Sequence, residues 1–553
     1  MQHQGGTTMR NSPTSYGSSS SGGHYRHFDT ILSPLVKTST VASNRSYAFF
    51  SLFLFLLLGA FLSTRLLLDP SVLIEKETAK VTESQKITES PKYPQATKLI
   101  TEKPKEFTLN CADFSGNGTV TCPRNNYPTS FRSSVREDNS SHSPSATCPD
   151  YFRWIHEDLR PWEKTGITRE ALERANATAN FRLAIIDGRI YVEKFREAFQ
   201  TRDVFTIWGF VQLLQRYPGK IPDLEIMFDC VDWPVVKAAE FAGVDQSTPS
   251  PPPLFRYCGN NETLDIVFPD WSYWGWAEVN IKPWESLLKE LREGNQKTKW
   301  IDREPYAYWK GNPTVAETRL DLMKCNVSEE YDWKARLYKQ DWVKESKEGY
   351  KESALANQCH HRYKIYIEGS AWSVSEKYIL ACDSVTLMVK PHYYDFFTRG
   401  MFPGHHYWPV KEDDKCRSIK FAVDWGNLHM LKAQDIGKKA SEFVQQELKM
   451  EYVYDYMYHL LTQYSKLLRF KPEIPQNATE LCSEAMACPR DGNEQKFMME
   501  SLVKHPAETG PCTMPPPYDP ASFFSVLKRR QSTTSRIEQW ESKYWRKQNQ
   551  TGS

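Results

Sequence analysis

Residues 363–389 constrain the fold most. An alternating apolar run, Tyr363, Ile365 and Ile367, ends in a Gly369-Ser370 turn. From Ser373 a helical pattern starts, with Glu376 at the capping-box spacing, and beyond Cys382 a second apolar run covers residues 385–389. Strand, turn, helix, strand is the unit from which nucleotide-binding α/β domains are built. The turn is expected to gather backbone N–H groups, a helix N-terminus and the Lys377 ammonium, which suits a diphosphate. An ordinary strand-to-helix turn accounts equally well for this stretch taken alone.

A length of 553 residues allows two or three domains. The net charge of +2, from 70 basic and 68 acidic residues, points away from polyanion partners such as DNA. The 17 Trp are numerous enough to line a sugar site as well as a core.

Residues 1–46 are Ser/Gly-rich and read as a cytosolic disordered tail. Residues 47–68 form an apolar run broken only by Arg65, long enough for a single transmembrane anchor. Arg10, Arg26, Lys37 and Arg45 precede it against Asp29 alone, so the positive-inside rule expects a single-pass type II topology. Residues 69–146, rich in Lys, Thr, Ser and Pro, read as a luminal stem in which Cys111 and Cys122 tie a small loop. All twelve cysteines follow residue 68, as do sequons at Asn117, Asn139, Asn176, Asn261, Asn326, Asn477 and Asn549. Both features fit an oxidising secretory compartment. The Golgi membrane is the expected location, with the endoplasmic reticulum second.

The folded part begins near Cys148. Residues 181–192 carry the Asp187-Gly188 pair favoured between hairpin strands. Asp203 is expected to cap a helix with Val204, Trp208, Val211 and Leu214 on one face, and residues 224–228 read as a buried strand. Asp229 and Asp232 follow that strand, where open α/β sheets place their chemistry. A second αβ series opens at Lys299, with a strand ending in Gly311-Asn312-Pro313-Thr314 and a helix carrying Arg319. From 471 to 553 the chain is Pro-rich and polar and reads as a loosely packed extension.

Several strings occur in one order: Phe228-Asp-Cys-Val-Asp-Trp-Pro234, Phe268-Pro-Asp-Trp-Ser-Tyr-Trp274, Tyr308-Trp-Lys-Gly311, Ile367-Glu-Gly-Ser-Ala-Trp-Ser373 and His406-Tyr-Trp-Pro-Val410. Together they resemble glycosyltransferase family 90, the Rumi-like protein O-glucosyltransferases, and most of all its plant-type members. The resemblance implies a GT-B fold, with two facing Rossmann-like domains at 147–295 (acceptor side) and 296–470 (UDP-sugar side). It also implies inverting transfer of glucose or xylose from UDP-glucose or UDP-xylose to a hydroxyl of a protein or polysaccharide, with no obligatory metal.

Inverting transfer needs a carboxylate to take the acceptor proton, and Asp232 matches the family's catalytic position. A plain turn before Pro234 is its structural alternative, and Asp229 is expected to serve hydrogen bonding. The leaving UDP needs cations and donors, for which Asn312, Thr314, Arg319, Ser373 and Lys377 are the candidates. Ser375 departs from the animal members, which carry Arg there. Trp271, Tyr273 and Trp274 are candidates for sugar or acceptor contact, with core packing as the competing role. The pairs His360-His361 and His405-His406 lack companions at a recognised metal spacing. The rival to an enzyme is a catalytically silent, membrane-tethered carbohydrate-binding or scaffold subunit, which would have no need of a carboxylate at 232.

Overall fold

The computed structural model describes residues 106–109, 111, 122, 146–242 and 249–551. Asp187 and Gly188 form the expected hairpin turn, both at positive φ (49° and 71°). That turn makes β1 (Phe181–Ile186) and β2 (Arg189–Lys194) antiparallel, with Ile186 opposite Arg189. β3 (Leu224–Phe228) lies antiparallel along the other side of β1. Only β4 (Leu254–Arg256) and β5 (Ile266–Val267) continue from β3 in parallel.

The helix Arg202–Arg216 connects β2 to β3. Asp203 sits inside its first turn rather than at the cap, paired with Lys194 at 2.7 Å. Gly209 lets the Trp274 ring lie against this helix, since a Cβ there would fall 2.5 Å from the indole.

The second sheet is parallel throughout. It holds β6 (Glu304–Gly311), β7 (Ala335–Lys339), β8 (His361–Tyr366), β9 (Val385–Val389) and β10 (Trp408–Val410), in the order β10-β9-β8-β6-β7. After β6 the chain goes outward to β7, then returns to build β8, β9 and β10 on the opposite side. The strand order therefore reverses between β6 and β8, which in such sheets opens a crevice at the strand C-termini. The residues of β8 and β9 are nearly all buried, including Lys364 within the alternating pattern of β8.

These findings correct the expectation of two Rossmann-like domains behind a transmembrane helix. The chain is mixed α/β with two sheets, and the first sheet is not of the Rossmann kind, because its two-residue hairpin forces antiparallel pairing. Among the described residues no helix is long and apolar enough to cross a membrane. The expected anchor at 47–68 lies outside the described residues, so the single N-terminal helix has no support in the structure.

The extension after 470 is well packed, against expectation. β11 (Thr479–Leu481) adds antiparallel to β2, completing the first sheet as β11-β2-β1-β3-β4-β5. The helix Pro520–Thr551 buries Ile537, and its Glu541 accepts from Ser418 Oγ at 2.8 Å. The small Cys111–Cys122 loop is not formed. Cys111 joins Cys488, Cys122 joins Cys482 and Cys148 joins Cys512, so each bond fastens the stem side to the C-terminal extension. Cys325–Cys416 and Cys359–Cys382 lie within the second half, and the buried Cys230 and Cys258 remain thiols.

Candidate functional site

The crevice between β6 and β8 is built around one guanidinium. Arg319, on the helix Glu317–Leu322 that follows β6, is 9 % exposed. It donates from Nε to the Glu368 carbonyl (2.8 Å) and from Nη2 to the Ile367 carbonyl and Ser373 Oγ (3.2 Å each). Nη1 donates to the Asn312 carbonyl at 3.3 Å. Among the described residues no carboxylate is ion-paired with it. Burial pulls its pKa down to about 10, which still leaves it cationic at neutral pH.

Three carbonyls and the Ser373 hydroxyl, all uncharged, hold this buried charge, an arrangement that an anion in the crevice would complete. Ser373 Oγ lies 2.8 Å from Ser375 Oγ, and Gly369 keeps the approach open, since a Cβ there would come within 3.3 Å of Nη2. Asn312 Oδ1 accepts from Thr314 N (3.0 Å) and Thr314 Oγ1 (2.8 Å), shaping the turn after β6. Arg319, Asn312, Thr314 and Ser373 are thus brought together. Ser373 does not cap a helix; the following helix is only Glu376–Leu380 and begins after Ser375.

Lys377 is not part of that cluster. Its side chain is 2 % exposed, and Nζ donates to Asp270 Oδ2 (2.9 Å) and Ser272 Oγ (2.8 Å) beneath the Tyr273 ring. It faces inward on its short helix, so the expected phosphate contact becomes a strut joining residues 107 positions apart. The aromatic candidates are buried in the same way, which is the core-packing alternative. Trp271, Tyr273 and Trp274 are all 0 % exposed and belong to the core, leaving no ring face for a sugar.

Asp229 and Asp232 divide their roles at the end of β3. Asp229 is buried, ion-paired with Arg256, and accepts from Val231 N at 2.9 Å. Asp232 keeps its side chain 24 % exposed, with Oδ1 held by Arg202 Nη1 at 2.5 Å. The Arg202 guanidinium rests over Trp271 (4.5 Å) and also donates to the Cys230 carbonyl (3.1 Å). Among the described residues the second oxygen of Asp232 has no hydrogen bond. An aromatic seam of Tyr257, Trp271 and Trp372 runs from this carboxylate to the crevice, because Trp372 directly precedes Ser373.

Comparison with known proteins says what kind of chain this is. The family model for glycosyl transferase family 90 matches residues 143–541. The chain belongs to glycosyltransferase family 90. It is therefore a glycosyltransferase.

This family-90 chain is 23 % identical over 364 residues to an O-glucosyltransferase rumi homolog of Aedes aegypti, covering 63 % of its own length and 86 % of the relative's. It is 27 % identical over 346 residues to protein O-glucosyltransferase 1 of Bos taurus, and 26 % over 346 residues to that of Homo sapiens. Both alignments cover 60 % of the family-90 chain and 84 % of the relative.

Behind the crevice of this family-90 enzyme lie buried carboxylates that sequence reasoning missed. Glu368 accepts from the backbone of His392 (2.9 Å) and Tyr393 (2.8 Å), and burial pushes its pKa up to about 7. Glu376 and Asp395 are also raised, by burial and, for Glu376, by the nearby Asp395 charge. Arg202 was missed too; it stands one turn before the apolar face of its helix and carries no periodic signal. Cys148, His459 and Cys512 converge as metal ligands might, but the two sulfurs are bonded to each other.

Of the sequons, Asn117 and Asn139 lie outside the described residues, while Asn261 and Asn477 are exposed. Asn326 spends its amide on the backbone of Leu337, at 3.0 and 3.2 Å.

Proposed function

We propose that this chain moves glucose or xylose from a UDP-sugar to a protein hydroxyl with inversion at the anomeric carbon. The observation that carries the proposal is Arg319, a buried cation with no counter-ion among the described residues, at the strand-order switch of a parallel sheet. In this reading the UDP diphosphate completes the charge of Arg319, with Ser373 and Ser375 hydroxyls and the Asn312–Thr314 turn beside it. The free oxygen of Asp232 takes the proton as the acceptor oxygen attacks the anomeric carbon, and the bond to the diphosphate breaks on the far side. Negative charge gathers on the leaving UDP next to Arg319. The relatives' name, protein O-glucosyltransferase, supports a protein acceptor.

No metal is required in this proposal, since the cation is supplied by the chain. Five disulfides and exposed sequons support work in the secretory lumen, with the Golgi as the proposed compartment. The test is a panel of UDP-sugars offered to purified chain with folded protein-domain acceptors and excess EDTA. Release of UDP and a mass increase of one hexose or pentose on the acceptor are expected. Activity only with a non-UDP donor, or only after adding manganese, would overturn the donor or the metal assignment respectively.

A further inference from the structure

A cavity of about 480 Å³ is lined by residues of both halves of the fold and by Phe523, Leu527 and Arg530 of the helix Pro520–Thr551. That volume is on the scale of small-molecule sites, which run to about 300–1,000 Å³. Rings of Trp154, Tyr393, Tyr407 and Phe523 line it, presenting flat apolar surface.

The charges around the cavity do not cancel. Asp158 takes both terminal nitrogens of Arg399 (2.7 and 2.6 Å), and Glu157 pairs with Arg160 (2.5 Å). Asp265 accepts from Val236 N (2.9 Å) and pairs with Arg256 (3.3 Å), and His392 faces Glu412 (2.9 Å). Among the described residues Arg530 alone of the charged lining groups has no carboxylate partner; its guanidinium lies over the Phe402 (5.1 Å) and Trp154 (5.8 Å) rings, and its Nε and Nη2 are buried without any hydrogen-bond acceptor. Two unanswered guanidinium donors cost far more buried than bound, and a planar fork of this kind matches a carboxylate or phosphate.

We infer that this cavity binds an acidic saccharide, its carboxylate or phosphate on Arg530 and its ring against the aromatic walls. Its lining includes neither Arg319 nor Asp232, and the inference does not depend on the donor assignment. The C-terminal helix therefore supplies a ligand contact besides closing the fold.

Calorimetric titration of the folded chain with D-glucuronate, glucose 6-phosphate and methyl glucoside tests this. At least one acidic sugar should bind tenfold or more tightly than the neutral glucoside, and which one does so tells carboxylate from phosphate. Arg530→Gln should remove the preference and Arg530→Lys should retain part of it. Leu527→Trp, at a half-exposed lining position, should weaken acidic-sugar binding by filling the cavity, and it serves if Arg530→Gln does not fold. Arg319→Gln should leave this binding unchanged while reducing UDP affinity. Equal affinity for acidic and neutral sugars, or acidic-sugar binding indifferent to both Arg530→Gln and Leu527→Trp, overturns the inference.

Discussion

The strand ends of the two sheets differ in how their charges are balanced. After β3, Asp229 meets Arg256, Arg256 also reaches Asp265 at 3.3 Å, and Asp232 meets Arg202 at 2.5 Å. After β6 and β8, Arg319 meets three carbonyls and one hydroxyl, and among the described residues no opposite charge. A set in which every charge meets an opposite one holds a loop in place, although here three carboxylates share two guanidiniums. An unmatched one stores a cost that a ligand of the opposite sign can relieve. The first sheet thus supplies a rigid mount for one partly exposed carboxylate, and the second supplies a seat for an anion.

The sharpest way to break this comparison is Asp232→Asn, which keeps shape and removes the base. Transfer should fall by roughly 10²–10⁴ in rate, with UDP affinity and thermal stability near wild type. Near-normal turnover would move the base elsewhere, Asp229 being then the neighbour to examine.

Next comes the matched pair that bridges the two halves. Lys377→Met strands Asp270 in the core and should cost about 3–5 kcal/mol of stability, read by denaturant unfolding. If the variant unfolds like wild type but loses UDP affinity, Lys377 is a phosphate ligand after all.

Arg319→Gln probes the unmatched charge and should do the reverse. UDP affinity should drop about 10- to 100-fold, the worth of a charge-assisted hydrogen bond of about 1.5–3 kcal/mol, while stability holds or rises. A large loss of stability with unchanged UDP affinity would make Arg319 scaffold.

An effect read only through pH belongs to Glu368, whose carboxyl is raised from the ordinary 4.5 to about 7 by burial. Between those values the folded chain holds a proton that the unfolded chain releases. Its contribution is therefore present at acid pH and is lost as pH rises from about 4.5 through 7. Glu368→Gln should remove up to ~3 kcal/mol of this pH dependence, measured as a flatter Tm profile between pH 5 and 8. An unchanged profile would assign the slope to Glu376 and Asp395.

Parts of this arrangement were legible in the amino-acid order because they are local. The apolar alternation of β8, the apolar run of β9 and the Asp187-Gly188 turn declare themselves within a few residues. The Asp229-to-Asp232 spacing after a buried strand likewise announces a carboxylate at a strand end. What could not be read is set by distant partners. Lys377 resembles a phosphate ligand until Asp270, 107 residues earlier, arrives beside it. Trp271, Tyr273 and Trp274 resemble a sugar platform until helices of both halves close over them. The mixed character of the first sheet follows from the hairpin, but a Rossmann-like expectation overrode that local signal.

The three long disulfides have a consequence for how the chain is made. Cys111, Cys122 and Cys148 wait for partners 377, 360 and 364 residues later. At translation rates of about 5–20 residues per second, that is roughly 20–75 s during which each emerging thiol is unpaired. β11, the last strand of the first sheet, also arrives in that final segment, directly before Cys482. The first half of the molecule therefore cannot be sealed as it emerges. Its maturation waits for the segment that carries Cys482, Cys488 and Cys512, and a nascent chain cut short before Cys482 would be left holding three reactive sulfurs and an uncovered sheet edge.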